Sequence, residues 1–121
     1  MKYSEHVLME ALIGVPGHPD TSDPSFREPF NKRLGRCYEI AGRYASEHPN
    51  SILIHGSIEG MGFPRIGHAW VSVGPDIFEP ATGHIMTKAE FGKWASPQID
   101  DAYPYPDVLE KIVSSKNWGP W

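Results

Sequence analysis

The alternation in Gly67-His68-Ala69-Trp70-Val71-Ser72-Val73-Gly74 constrains the fold more than any other stretch. Neighbouring side chains of an extended strand point to opposite faces, so His68, Trp70 and Ser72 share one face and Ala69, Val71 and Val73 the other. Turn residues close the stretch on both sides. Glu59-Gly60-Met61-Gly62-Phe63-Pro64-Arg65 separates it from a buried-strand run, Ser51 to Ile58, and Gly74-Pro75-Asp76 separates it from Ile77-Phe78-Glu79. Such short turns between successive strands dictate antiparallel pairing. Thr82-Gly83 turns the chain again before a short edge strand, His84-Ile85-Met86. Together these segments predict an antiparallel meander.

Helical patterns flank it. Val7, Leu8, Ala11 and Leu12 recur at three- and four-residue spacing in a helix from Ser4 or Glu5 to Ile13, which Gly14 ends. Val15 to Pro24 reads as a long irregular loop. From Cys37 the stripe Ile40, Ala41, Tyr44 and Ala45 predicts a helix to about Glu47 or His48, stopped by Pro49. Gly42 inside that helix costs about 1 kcal/mol relative to alanine, which calls for a packing reason such as close approach of a strand. Thr87-Lys88-Ala89-Glu90 is a capping box opening a helix through Phe91 and Trp94. Asp101 to Pro106 reads as extended, and Asp107-Val108-Leu109-Glu110 as a second capping signature for a helix to about Ser115. Trp118 and Trp121 follow in a tail, and at least one of them is expected to dock on the body. The expected fold class is α+β: N-terminal helices packed on an antiparallel sheet, with short C-terminal helices, in a single domain over residues 1–121.

Composition narrows the function classes. A net charge of −4 and the lack of any basic run argue against a nucleic-acid-binding surface. One cysteine forms no internal disulfide, so the fold does not depend on an oxidising compartment. The apolar stretch Val7 to Val15 is broken by Glu10 and has no small-residue cleavage site, and no run approaches membrane-spanning length. The default expectation is a soluble, cytoplasmic domain without a membrane partner, although export without a signal stays open. The oligomeric state is not legible in the sequence.

Chemistry concentrates on three residues. Cys37 is the chain's one thiol, His68 opens the alternating strand, and Glu79 follows eleven residues later. A thiol, an imidazole and a carboxylate are the parts of a nucleophile, a base and a group that orients the base. Cys37 falls at the first turn of its helix, where backbone amides and the dipole stabilise a thiolate or an oxyanion, and Arg36 adds positive charge nearby. His68 shares its face with Trp70, which is expected to form a cleft wall. The hairpin register sets Glu79 about one to three positions from His68 along the strand.

Taken together, the residues resemble the papain-like and transglutaminase-like cysteine hydrolase superfamily. His-Ala-Trp-Val-Ser-Val is similar to the histidine strand of the transglutaminase core, and Phe78-Glu79-Pro80 to the strand that follows it, which usually carries Asp-Pro. The likeness covers Cys37 to about Thr82. It implies a papain-like or transglutaminase-core-like fold, with Cys37 as nucleophile, His68 as base and Glu79 as orienter. It also implies an oxyanion-hole amide six residues before the cysteine, where this chain has Asn31 and papain-like enzymes have glutamine. Glu79 stands for the commoner aspartate, and Tyr38 follows Cys37 where a tryptophan is usual. The implied activity is hydrolysis or acyl transfer at an amide, isopeptide or ester carbonyl of a protein or peptide substrate, with no cofactor.

Three rival readings stand beside this one. His55, His68, His84, Cys37 and Glu79 could converge on zinc, although none are spaced as HxxxH or CxxC ligands. Trp94, Tyr103, Tyr105, Trp118 and Trp121 could form an aromatic binding surface. A catalytically inactive adaptor or inhibitor of the same fold is the third.

Overall fold

The computed structural model describes residues 14–23, 25, 28–60 and 63–121. The helix expected over Ser4 or Glu5 to Ile13 lies outside them. In chain order the elements are β1 (His18–Pro19), α1 (Phe30–Leu34), α2 (Cys37–Ser46), β2 (Ser51–Gly60), β3 (Phe63–Val73), β4 (Asp76–Glu79), β5 (His84–Thr87), α3 (Lys88–Ala95), β6 (Gln98–Pro104) and α4 (Tyr105–Ser115). The strands form one antiparallel sheet in the order β1-β5-β4-β3-β2-β6. This is an α+β layout with the expected meander, β2 to β5, at its centre.

The alternation along β3 sorts the core into two layers. Ala69 and Val71 join Leu53 and Phe78 under Ile40, Ala41, Tyr44 and Ala45 of α2. Trp70 joins Ile54, Ile77 and Met86 under Phe91 and Ala95 of α3. Each face of β3 therefore buries its own helix, as the period of two requires. Tyr44 ties the first layer together: its ring stacks on Phe78 with centroids 3.9 Å apart, and its hydroxyl donates to Asp20 at 2.8 Å. Truncating a buried ring such as Phe78 to alanine removes about 3–5 kcal/mol in comparable cores.

Several elements differ from the sequence expectation: α1 is a separate short helix, and β2 and β3 extend to Gly60 and from Phe63 into the expected turn. The loop from Val15 contains β1, whose His18 and Pro19 pair with Ile85 and His84 of β5. The extended stretch before α4 starts earlier, at Gln98, and is an edge strand on β2. At the bulge in that pairing, a side chain on Gly56 would stand 1.9 Å from the Gln98 carbonyl oxygen, so only glycine lets the backbones meet. Finally, α4 begins at Tyr105 behind Pro104 rather than at Asp107, with no side-chain cap. Pro106 fits that first turn because its missing N–H would have had no helical partner. The Thr87 capping box is formed as expected, with Thr87 Oγ1 accepting from the Glu90 amide at 3.1 Å and Glu90 accepting from the Thr87 amide at 2.8 Å. Among the described residues, no helix is long and apolar enough to cross a membrane.

Candidate active site

The register of the β3–β4 hairpin decides how the imidazole meets the carboxylate. Val71 pairs with Phe78, so the same register carried one step further sets Glu79 beside Trp70, two positions from His68 on the same face. This diagonal spacing is within reach of long side chains. His68 Nε2 and Glu79 Oε2 lie 2.6 Å apart, and both residues are 0% exposed. Glu79 also accepts from the amides of Ala81 at 3.1 Å and Thr82 at 2.9 Å. The carboxylate thus caps the turn after β4 and orients the ring at once.

Burial alone would keep His68 neutral. The Glu79 charge, the Cys37 hydrogen bond and charge, and the Glu79 hydrogen bond outweigh it, and the ring's pKa is pushed up to about 10. Burial also favours a neutral Glu79, but the His68 charge, the ring's hydrogen bond and the two amides hold its pKa below the ordinary carboxylate value. With Nε2 committed to Glu79, Nδ1 is the nitrogen left to face the thiol. It makes no hydrogen bond of full geometry, so the thiol stands beside it rather than locked to it.

Cys37 is the first residue of α2 and is 6% exposed. Neither apolar cluster includes it. The Ile40 amide makes the bond to the Arg36 carbonyl, at 2.9 Å. The amides before it, Cys37 included, belong to the first turn, whose N–H groups have no partner within a helix. Arg36 does not supply the free positive charge expected of it. Its guanidinium is held by Glu39 at 3.1 and 2.9 Å and by Glu28, so its charge is spent on two carboxylates.

The remaining candidates are placed as follows. Asn31 lies in α1, and its side chain is outside the described residues. Trp70, expected as a cleft wall, is 2% exposed; its ring centroid lies 5.1 Å from Phe91 and 6.3 Å from His68. The ring is largely buried under α3, where alternation puts it, beside the imidazole, and it also lines a pocket of about 240 Å³ with Ile54, Ser72, Ile77 and Phe91. Of the five zinc candidates, Cys37, His68 and Glu79 meet while His55 and His84 stand elsewhere, and among the described residues no group of three or more His, Cys, Asp or Glu could hold a metal. His55 stands among Tyr38, Tyr103 and Trp121, and His84 Nδ1 meets the Pro16 carbonyl at 3.0 Å. The aromatic residues do not form one surface either. Trp94 packs against the α3 layer, whereas Trp121 packs against the α2 layer and Trp118 contacts α2 itself.

Sequence reading missed the support behind Glu79. Arg33 of α1 is 2% exposed; its Nε donates to the Pro80 carbonyl at 2.8 Å and its Nη2 to Asp23 at 2.6 Å, and Nη1 reaches the Ser25 carbonyl. One guanidinium thus ties the residue after Glu79 to the segment ahead of α1. No local pattern marks it, because Pro80 lies 47 residues away and the other two partners of Arg33 sit in an irregular segment rather than at a helical or strand spacing.

No protein-family model, no curated protein and no solved structure matches the chain.

Proposed function

We propose that the chain is a cysteine-dependent hydrolase or acyltransferase acting on an amide, isopeptide or ester bond of a protein or peptide substrate, with a fold of the papain-like or transglutaminase-core kind. The observation that carries this reading is the buried His68–Glu79 contact of 2.6 Å with the Cys37 thiol beside the same ring. A buried charge pair without a task is an expensive way to fill a core, and a thiol beside a protonated imidazole is a nucleophile in waiting.

The steps follow from the arrangement. His68 Nδ1 holds the thiol proton, and the Cys37 sulfur attacks the carbonyl carbon. The carbonyl oxygen takes the electron pair and receives hydrogen bonds from the Cys37 amide and, by the resemblance, from Asn31. His68 then protonates the leaving nitrogen or oxygen, and a thioester remains on Cys37. Water or an amine, deprotonated by the same ring, releases the acyl group. Glu79 keeps the ring oriented and stabilises its charged form throughout. Hydrolysis, deamidation and acyl transfer share these steps and differ in the final nucleophile.

One observation favours an inactive adaptor of the same fold: Cys37 is nearly covered. Iodoacetamide separates the two. The proposal expects rapid labelling of the native protein near neutral pH and a rate about 100-fold lower in His68→Ala, the low end of a base's contribution. Labelling only after unfolding would make Cys37 a core residue and end the enzyme reading.

A further inference from the structure

A groove beside the start of α2 is bordered by the chain's own tail. Its volume is about 340 Å³, and its walls are Gly35, Arg36, Tyr38 and Glu39 on one side and Asn117, Trp118 and Gly119 on the other. The first group surrounds the start of α2, where Cys37 sits between two wall residues.

Among the described residues, the tail is attached to the body by the packing of Trp118, Gly119 and Trp121, with no hydrogen bond. Every hydrogen bond of residues 117–121 among the described residues stays within the tail and the end of α4: Asn117 with Ser115, the Gly119 amide to Asn117 at 2.9 Å, and Trp121 Nε1 to the Asn117 carbonyl at 3.1 Å. Trp118 lies on Gly42 of α2, with Arg43 over its ring at 4.9 Å. Trp121 packs at 5.0 Å from His55 and 5.1 Å from Tyr103. A segment without hydrogen bonds to the body opens at low free energy relative to the sheet.

What lies beneath it is not an ordinary core. His55 is 4% exposed, and neither ring nitrogen has a hydrogen-bond partner. Gly119 and Trp121 cover it, and Tyr38, next to Cys37, touches it edge-on at 5.0 Å. Buried polar groups are nearly always paired, so this ring's capacity is unused only while the tail is down. A substrate backbone or side-chain amide entering in the tail's place could supply both a donor and an acceptor.

We propose that Asn117–Trp121 is a displaceable strap that walls the groove beside Cys37 and covers His55, and that a peptide substrate binds where the strap now lies, with its polar groups on His55. The inference rests on the cysteine-enzyme reading for the word substrate, but not for the strap itself. The strap occupies the site as an intramolecular peptide ligand, and access to the thiol rises when it lifts.

Two glycines allow the strap to be lifted from opposite sides. A side chain on Gly42 would stand 2.8 Å from Trp118 Cε3, and one on Gly119 would stand 2.6 Å from His55 Cε1. Gly119 also has φ +106°, a conformation alanine resists. Gly42→Ala improves the helix while evicting Trp118, so it tests the strap without threatening the fold. In the full chain, each substitution is expected to raise amide hydrogen exchange over residues 117–121 and the iodoacetamide rate at Cys37 by about tenfold, the scale of one lost ring contact. Faster exchange with an unchanged labelling rate overturns the strap as a cover. Unchanged exchange in two folded variants overturns it as a displaceable segment. The same pair in a His68→Ala background keeps the two readings apart: a rise that persists there supports the strap, whereas labelling that never depended on His68 removes the base and leaves the strap standing.

Discussion

His55 and His68 sit on neighbouring strands, one register step apart, and both are buried. Their chemistry diverges completely. His68 has a carboxylate 2.6 Å away and a thiol beside it, and its pKa is driven upward. His55 has three aromatic rings and no hydrogen bond, and burial holds its pKa below the ordinary value against a smaller opposing pull from Asp101. Desolvation acts on both in the same direction. The difference is the partner, which shows that burial sets a histidine's charge only where nothing answers it.

Removing the partner should produce the largest effect. Glu79→Ala leaves His68 buried without its counter-charge and frees two turn amides, so a loss of about 3–5 kcal/mol is expected in urea unfolding. A loss under about 1 kcal/mol, the worth of an exposed pair, would mean that the contact is not buried in solution.

The pH dependence separates the two residues of that pair. His68 is raised, so its contribution is complete below the unfolded value of about 6.5 and is lost as pH climbs toward 10. Glu79 is lowered, so its contribution is present above about 4.3 and is lost as pH falls further. The stability gap between the native chain and a His68→Leu/Glu79→Leu double variant should therefore be widest between pH about 4.3 and 6.5 and narrow on either side. A gap that keeps growing above pH 7 would contradict the raised imidazole.

The smallest effect belongs to His55. His55→Leu removes two unpaired ring nitrogens at similar volume and should stabilise the chain by about 1 kcal/mol at pH 7. The neutral ring is the favoured form, so the native chain should lose further ground below pH about 6.5 while the variant does not. Tyr38 from α2 and Tyr103 and Asp101 from β6 face this ring, and Asp101 is the one pull against the trend. Equal acid sensitivity of the two chains, followed by thermal unfolding, would break the contrast with His68.

The legible parts of the molecule were the local ones. The meander could be read from alternation and turn residues, and the Thr87–Glu90 box from a four-residue spacing, because those interactions close within a few residues. Edge pairing was less legible. Asp101 to Pro106 reads only as extended, and it is the exposed edge of β2 that makes Gln98–Pro104 a strand. Gly42 called for a close neighbour, and the expected strand is instead Trp118 of the tail. His55 entered the sequence reading only as a metal candidate. Its flanks, Ile54 and Gly56, signal a buried strand but not the aromatic enclosure that defines it. Arg33 carried no signal at all.

Residue types and short-range periodicity determined that this chain would build an antiparallel meander bearing a histidine on one strand and a glutamate on the next, because turns and alternation are properties of adjacent residues. The tertiary structure decided the rest. It set the diagonal contact through a hairpin register, placed the Cys37 helix start against the imidazole, tied Arg36 to two carboxylates and laid the tail over His55. These outcomes depend on which distant surfaces meet and on how much water they exclude, and neither is encoded in any local stretch of the chain.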